Sequence, residues 1–104
     1  MFKTIRPEAI TDNPFKLIGS DWMLISACEK SVDEDGNVTT GRVNTMTASW
    51  GGVGIMWGNP VATCYIRPQR HTKGFVDSSD YFTLCFFGEE YRKALQFCGS
   101  RSGR

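Results

Sequence analysis

The segment RPQRHT, residues 67–72, carries side chains suited to binding a phosphate group. Arg67 and Arg70 offer planar guanidinium groups whose paired N–H donors match phosphate oxygens. Gln69 and Thr72 add polar donors, and the segment lies where a predicted strand gives way to a predicted helix, whose first N–H groups also favour an anion. The alternative interpretation is a solvated turn in which both arginines pair with nearby carboxylates.

A second segment, NTMTASWGGVGIMWGNP at residues 44–60, combines hydroxyl side chains with glycines. Glycine weakens a strand, so a run of glycines indicates that something lies close to the backbone. A flat ring could lie there and be read by Thr47, Ser49 and main-chain amides. Together the two segments describe a ligand with a flat ring and a phosphate tail. FMN fits this description, and so do other phosphorylated aromatic compounds.

These segments need strands and helices to position them. The sequence predicts strands over residues 21–29, 42–50, 61–66 and 80–87. It predicts turns at DEDGN (residues 33–37) and at Asn59-Pro60. Pro68 ends the third strand, Thr72 caps a short helix that reaches Val76, and a second helix covers residues 89–97. The predicted fold class is mainly β with short helices, either a barrel or an α+β sheet.

The bulk composition is that of one globular domain. The chain has 104 residues with 40% hydrophobic and 22% charged residues, so a single domain over residues 1–104 is predicted. The formal net charge of +1 gives no overall preference for nucleic acid or an anionic membrane. The N-terminal residues lack the apolar core of a secretion signal, and the expected location is cytoplasmic.

The cysteines are predicted to be structural. Cys28, Cys64, Cys85 and Cys98 are far apart and form no C-x-x-C pair, and His71 is the one histidine of the sequence. We therefore expect buried cysteines in a reducing compartment, with neither a disulfide scaffold nor a metal site.

Four segments, in this order, resemble the FMN-binding split barrel of the flavin reductase-like family: NTMTASWGG, NPVATCYIRPQRHT, DYFTLCFFGEEYRKAL and CGSRSGR. The resemblance covers residues 22–104. It implies that FMN is the cofactor and that the barrel is a homodimer with the flavin near the subunit interface. It also implies that the closing Ser102-Gly103-Arg104 belongs to the cofactor or interface side. The strand implied to follow the isoalloxazine and ribityl groups is Met46-Thr47-Ala48-Ser49-Trp50, and the implied phosphate segment is Arg67-Pro68-Gln69-Arg70-His71-Thr72.

Members of this family are substantially longer than this chain. The resemblance therefore implies an incomplete split β-barrel that lacks the C-terminal strands and helix of the family fold. Such a sheet would have unpaired edges that a partner would need to cover.

The family resemblance implies an NAD(P)H-dependent flavin reductase, in which a reduced nicotinamide delivers hydride to FMN. The chemistry belongs to the cofactor, so no catalytic side chain is assigned, and His71 is interpreted as structural or close to the phosphate. Two alternatives remain. One is a non-enzymatic FMN electron carrier, and the other is a single-stranded nucleic-acid-binding barrel with a stacking groove formed by Trp50, Trp57, Tyr65, Arg67 and Arg70.

Three large side chains of the glycine-rich region have separate expectations. Met46 is predicted to face the core and to contribute its backbone at most. Trp57 is predicted to be a core aromatic. Trp50, next to Ser49 and two glycines, either stacks near the flavin or partner subunit or is buried.

Overall fold

The computed structural model describes residues 3–101, except for the side chain of Thr40. Two antiparallel sheets, one of three strands in the order β2-β1-β5 and one formed by β3 and β4, make up most of the regular structure. The strands are β1 (Met23–Val32), β2 (Val38–Ala48), β3 (Gly51–Met56), β4 (Asn59–Cys64) and β5 (Thr83–Cys85). The α-helices are α1 (Pro14–Lys16), α2 (His71–Asp77) and α3 (Arg92–Ser100); a π-helix (Leu17–Asp21) and two 3₁₀ turns (Pro7–Ala9 and Glu89–Tyr91) complete the order.

The long hairpin of β1 and β2 is the centre of the fold. Alternate residues of β1 are buried, which is the pattern of a strand with one face toward a core. The turn at residues 33–37 closes the hairpin as predicted, because the Asp33 carboxylate accepts hydrogen bonds from the backbone N–H groups of Asp35 (3.0 Å) and Asn37 (2.8 Å). Gly36 takes the left-handed conformation there, with φ of 83°.

The core lies on one face of this hairpin. Ile25 is fully buried at 0% exposure and pairs in register with Met46, which is 4% exposed. This confirms the prediction that Met46 faces the core. The other members of the cluster are Ile18, Met23 and Ala48, and the side chains packed against them are Cys64, Ile66, Val76 and Leu84.

The second hairpin, β3 with β4, corrects two predictions. Its turn lies at Trp57 and Gly58, which both have positive φ (51° and 74°), rather than at Asn59-Pro60. Pro60 instead pairs with Ile55 inside the hairpin. Because the left-handed turn points its side chain outward, Trp57 is 94% exposed, and the prediction that it is a core aromatic is wrong.

The predicted fold class of mainly β structure with short helices is confirmed, and the part of the chain that the structure describes contains no closed barrel. The strand predicted over residues 80–87 is shorter, and the helix predicted over residues 89–97 is a 3₁₀ turn followed by α3. In residues 3–101 no helix has both the length and the apolar character needed to cross a membrane. The four cysteines are free and half-buried, so they are less enclosed than predicted.

A core substitution tests the position of the hairpin face. We expect Ile25→Ala to lower the free energy of unfolding by about 2–5 kcal/mol, because it removes a fully buried side chain and leaves a cavity. The matched control is Val43→Ala on β2, where the side chain is 63% exposed and the expected loss is below about 1 kcal/mol. Urea unfolding followed by far-UV circular dichroism measures both, and equal losses would contradict the assignment of the core face.

A cross-strand ion pair gives the hairpin a dependence on pH. Arg42 donates two hydrogen bonds to the Glu29 carboxylate, at 3.2 and 3.0 Å, and they lower the pKa of Glu29 from its ordinary value. A carboxyl with a lowered folded-state pKa stabilises the fold above its unfolded pKa and loses this contribution as pH falls through the folded value. We expect the urea midpoint of the native chain to exceed that of Glu29→Gln at about pH 7 and the two to converge below about pH 4. A difference that persists in acid would exclude the ion pair as its source.

Candidate functional site

Two adjoining cavities lie along β2 and share Met46, Arg67 and Arg70 in their walls. The larger, called here the anion cavity, has a volume of about 340 Å³. Its lining is Asn44, Thr45, Met46, Arg67, Gln69, Arg70, His71, Thr72, Gly99, Ser100 and Arg101. The smaller, called the strand cavity, has a volume of about 170 Å³, and its lining is Met46, Thr47, Ala48, Ser49, Trp50, Tyr65, Arg67 and Arg70.

Two hydrogen bonds on opposite faces of β2 bring these walls together. Asn44 Nδ2 donates to Thr72 Oγ1 at 2.8 Å, which ties α2 to one face of the strand. Thr47 Oγ1 donates to the Leu95 carbonyl at 2.6 Å, which ties α3 to the other face, since side chains at even and odd positions of a strand point in opposite directions. The loop before α2 and the end of α3 therefore converge on the same strand.

The anion cavity is strongly cationic. Arg67, Arg70 and Arg101 line it, and its lining includes no Asp or Glu. None of these arginines takes part in the ion pairs formed between residues 3 and 101, so the alternative in which Arg67 and Arg70 pair with carboxylates is not observed. The Gln69 amide lies against the Arg67 guanidinium, and with its oxygen turned toward that group it accepts from Nε at 2.8 Å. Guanidinium groups that have no carboxylate partner and surround one cavity attract an anion.

Thr72 has a different role from the predicted helix cap. Helix α2 begins at His71, with Arg70 at the capping position and no side-chain cap. Thr72 is 2% exposed and accepts the hydrogen bond from Asn44, so it forms the inner wall of the cavity. Because α2 has seven residues, its dipole is small, and the arginine side chains supply most of the positive potential.

The three strand hydroxyls are not equivalent. Thr45 Oγ1 donates to the Ile25 carbonyl at 3.0 Å and lies 2.8 Å from Ser26 Oγ, and Thr47 is bonded to α3 as described above. Ser49 is exposed and forms no hydrogen bond with residues of the described range. Of the two hydroxyls predicted to read a flat ring, Ser49 is therefore the one whose donor is available to a ligand.

Two aromatic side chains border the strand cavity. Trp50 is 55% exposed and Tyr65 is 62% exposed, and the Tyr65 N–H donates to the Trp50 carbonyl at 3.2 Å. The burial expected as one alternative for Trp50 is thus not observed. His71, which is half-buried, contacts Phe75 edge to face with ring centroids 5.2 Å apart.

The free edge of β2 adds backbone donors and acceptors. Within the described residues β2 pairs with β1 on one side, and the structure places no strand against its other side. Alternate N–H and C=O groups of an edge strand point away from the sheet and can bond to a ligand.

The structure collects most of the predicted site residues and adds others. Met46, Thr47, Ala48, Ser49, Trp50, Arg67, Gln69, Arg70, His71 and Thr72 all line one or both cavities. Pro68 lines neither cavity, and Ser102-Gly103-Arg104 lie outside the described residues. The sequence does not predict cofactor-site roles for the other lining residues, which are Asn44, Thr45, Tyr65, Gly99, Ser100 and Arg101.

Comparisons of the chain with protein-family models, with curated proteins and with solved structures gave no match.

The glycines after β2 have two different environments. A Cβ atom on Gly51 would clash with the Thr63 carbonyl oxygen of the paired strand, so this glycine is required by the hairpin itself. A Cβ atom on Gly52 or Gly54 would meet nothing within 4 Å. At Gly51 the close neighbour is therefore the paired strand rather than a ligand, and the space beside Gly52 and Gly54 is open.

This difference predicts that alanine substitutions at these two neighbouring glycines have effects of different size. Gly51→Ala is expected to destabilise the chain by about 1–3 kcal/mol, because the β3–β4 pairing must open to relieve the clash. Gly52→Ala serves as the control and should change the free energy of unfolding by less than about 1 kcal/mol. Thermal unfolding of both variants checks this, and a destabilising Gly52→Ala would show that the space beside Gly52 is filled.

Proposed function

We propose that this chain is an FMN-binding flavoprotein and acts as an NAD(P)H-dependent flavin reductase. The observation that carries the proposal is the pair of adjoining cavities. One is lined by arginines without a carboxylate, and the other by a strand with an available hydroxyl and two exposed aromatic rings. A phosphate would lie in the first, and a flat ring would lie along β2 in the second.

The donor set suits this ligand. The guanidinium groups of Arg67 and Arg70 match phosphate oxygens. Because both arginines line both cavities, a phosphate bound by them would lie next to the ring. Ser49 and the outward N–H and C=O groups of β2 suit the polar edge of a flavin ring. The aromatic faces of Trp50 and Tyr65 are exposed and can stack on a planar ligand.

The side chains of this site bind and orient the cofactor rather than react. When bound, FMN supplies the redox chemistry, accepting a hydride from a reduced nicotinamide and passing electrons to an acceptor. Arg67 and Arg70 hold the phosphate end, Ser49 and β2 fix the ring, and Met46 and Ala48 close the site from the core side with side chains that are 4% and 9% exposed. No catalytic side chain is proposed.

The family fold is part of the same proposal. The described sheets leave β2 unpaired on one side, and the β3–β4 hairpin exposes the apolar side chains of Val53, Ile55 and Met56. An FMN-binding split barrel assembled as a homodimer would cover such surfaces. Size-exclusion chromatography with light scattering tests the dimer independently of flavin binding.

The electron-carrier alternative shares this site and differs in turnover. Steady oxidation of NADH or NADPH by the FMN-loaded chain would support the reductase. An FMN-loaded chain that leaves both nicotinamides unchanged but exchanges electrons with a reduced dye would support the carrier.

The nucleic-acid alternative is favoured by one observation. Trp50, Trp57 and Tyr65 are all exposed, and Trp50 and Tyr65 share a cavity with Arg67 and Arg70. Stacking of bases on such rings is tolerant of sequence and strongly salt-dependent. A fluorescent oligothymidine that binds with FMN-sensitive affinity would support this alternative, and the absence of binding at low salt would remove it.

The phosphate assignment predicts a selective loss. Arg67→Ala or Arg70→Ala is expected to weaken FMN by about tenfold or more while riboflavin, which lacks the phosphate, changes little. Lys93→Ala is the control, since Lys93 is exposed on α3 and lines neither cavity. Quenching of flavin fluorescence measures each affinity. Equal losses of FMN and riboflavin in the arginine variants would overturn the phosphate assignment.

The ring assignment predicts a loss of both flavins. Ser49→Leu should block FMN and riboflavin alike, because the bulkier side chain occupies much of a cavity of about 170 Å³ and the available hydroxyl is lost. Ser31→Leu, on the exposed end of β1, controls for the added apolar surface. Full FMN binding by Ser49→Leu would place the ring elsewhere.

A further inference from the structure

The end of helix α3 forms one wall of the anion cavity. Gly99, Ser100 and Arg101 line it together with Arg67 and Arg70 of the loop before α2. Arg101 follows the last residue of the helix, and its N–H donates to the Phe97 carbonyl at 3.1 Å. The Arg101 guanidinium lies 5.3 Å from the centroid of the Phe97 ring, a cation–π contact that restrains it at the end of the helix.

The last turns of α3 pack closely on β2. The Thr47 hydroxyl donates to the Leu95 carbonyl at 2.6 Å, and the Leu95 side chain is 3% exposed. A Cβ atom on Gly99 would lie 3.4 Å from Thr47 Cβ, which is van der Waals contact distance, so the last turn lies directly against the strand. The sequence thus fixes the place of Arg101 through a helix docked on the face of β2 opposite to α2.

The anion cavity has one more cationic side chain than the loop before α2 provides, because Arg101 also lines it. A phosphate monoester carries about −1.5 to −2 charges at pH 7 and three free acceptor oxygens, whereas a phosphate bridged to a second phosphate by an anhydride bond and to one alcohol by an ester bond has one charge and two free oxygens. Arg67 and Arg70 of the loop before α2 and Arg101 after α3 all line this one cavity. Three guanidinium groups from two separate segments suit a terminal phosphate, which presents three free oxygens.

We infer that Arg101 is a third phosphate-binding residue and that it makes the anion cavity selective for a terminal phosphate monoester. The inference rests on the proposed function in taking that phosphate to be the one of FMN. Riboflavin lacks the group, and in FAD it is joined to AMP through a phosphoanhydride bond, which leaves it two free oxygens and one charge. Arg101 therefore determines the preference for FMN over both relatives.

The test compares Arg101→Gln with Lys93→Gln, a neutralisation on the same helix at an exposed residue outside both cavities. Affinities for FMN, FAD and riboflavin are measured by fluorescence titration. Arg101→Gln is expected to weaken FMN about tenfold, with riboflavin unchanged and FAD affected less than FMN. Lys93→Gln should leave all three as in the native chain. An unchanged ratio of FMN to riboflavin affinity in Arg101→Gln would overturn the inference while leaving the proposed function in place.

A second measurement separates the two proposals. Inorganic phosphate is titrated into the same proteins and followed by the shift in unfolding temperature. If the native chain binds no flavin but phosphate stabilises it, and Arg101→Gln abolishes this effect while Lys93→Gln retains it, the role of Arg101 stands and the flavin function fails. If neither phosphate nor FMN depends on Arg101, the role of Arg101 is wrong.

Discussion

The alternation of side chains along β2 is the constraint on which the site depends. Asn44 points to one face and holds Thr72 of α2, while Thr47 points to the other and holds Leu95 of α3. Two short helices that are distant in sequence are thereby brought to the same strand. The register of β2 against β1 sets which face each residue occupies, and a slip of one residue would exchange the two faces. The buried pairing of Ile25 with Met46 protects this register.

Local patterns made much of the site predictable. Two segments could be recognised from residues adjacent in sequence: the strand that ends in Thr47-Ala48-Ser49 and the arginine-rich loop. The structure places both around adjoining cavities. Their proximity was expected from their roles as parts of one ligand site. The mainly β fold class followed from the same short-range signals.

Other parts of the site depend on long-range contacts that a single sequence does not display. A strand hydroxyl looks the same whether it meets a ligand or a helix, and only the docking of α3 shows that Thr47 is occupied while Ser49 is available. Arg101 lies at the cavity for the same reason, since its position follows from the docking of α3 on β2. The cap predicted at Thr72 failed because a tertiary bond to Asn44 took its hydroxyl.

The turn at Trp57 and Gly58 has a consequence for the design of the second hairpin. A bulky side chain in the left-handed conformation costs about 1 kcal/mol or more relative to asparagine or glycine, the residues that such turns favour. With 94% of Trp57 exposed, the described fold gains almost no burial in return. An Asn-Gly turn would make a more stable hairpin than this one. The indole of Trp57 therefore lowers the stability of its own hairpin, and the described fold offers no burial that offsets this cost.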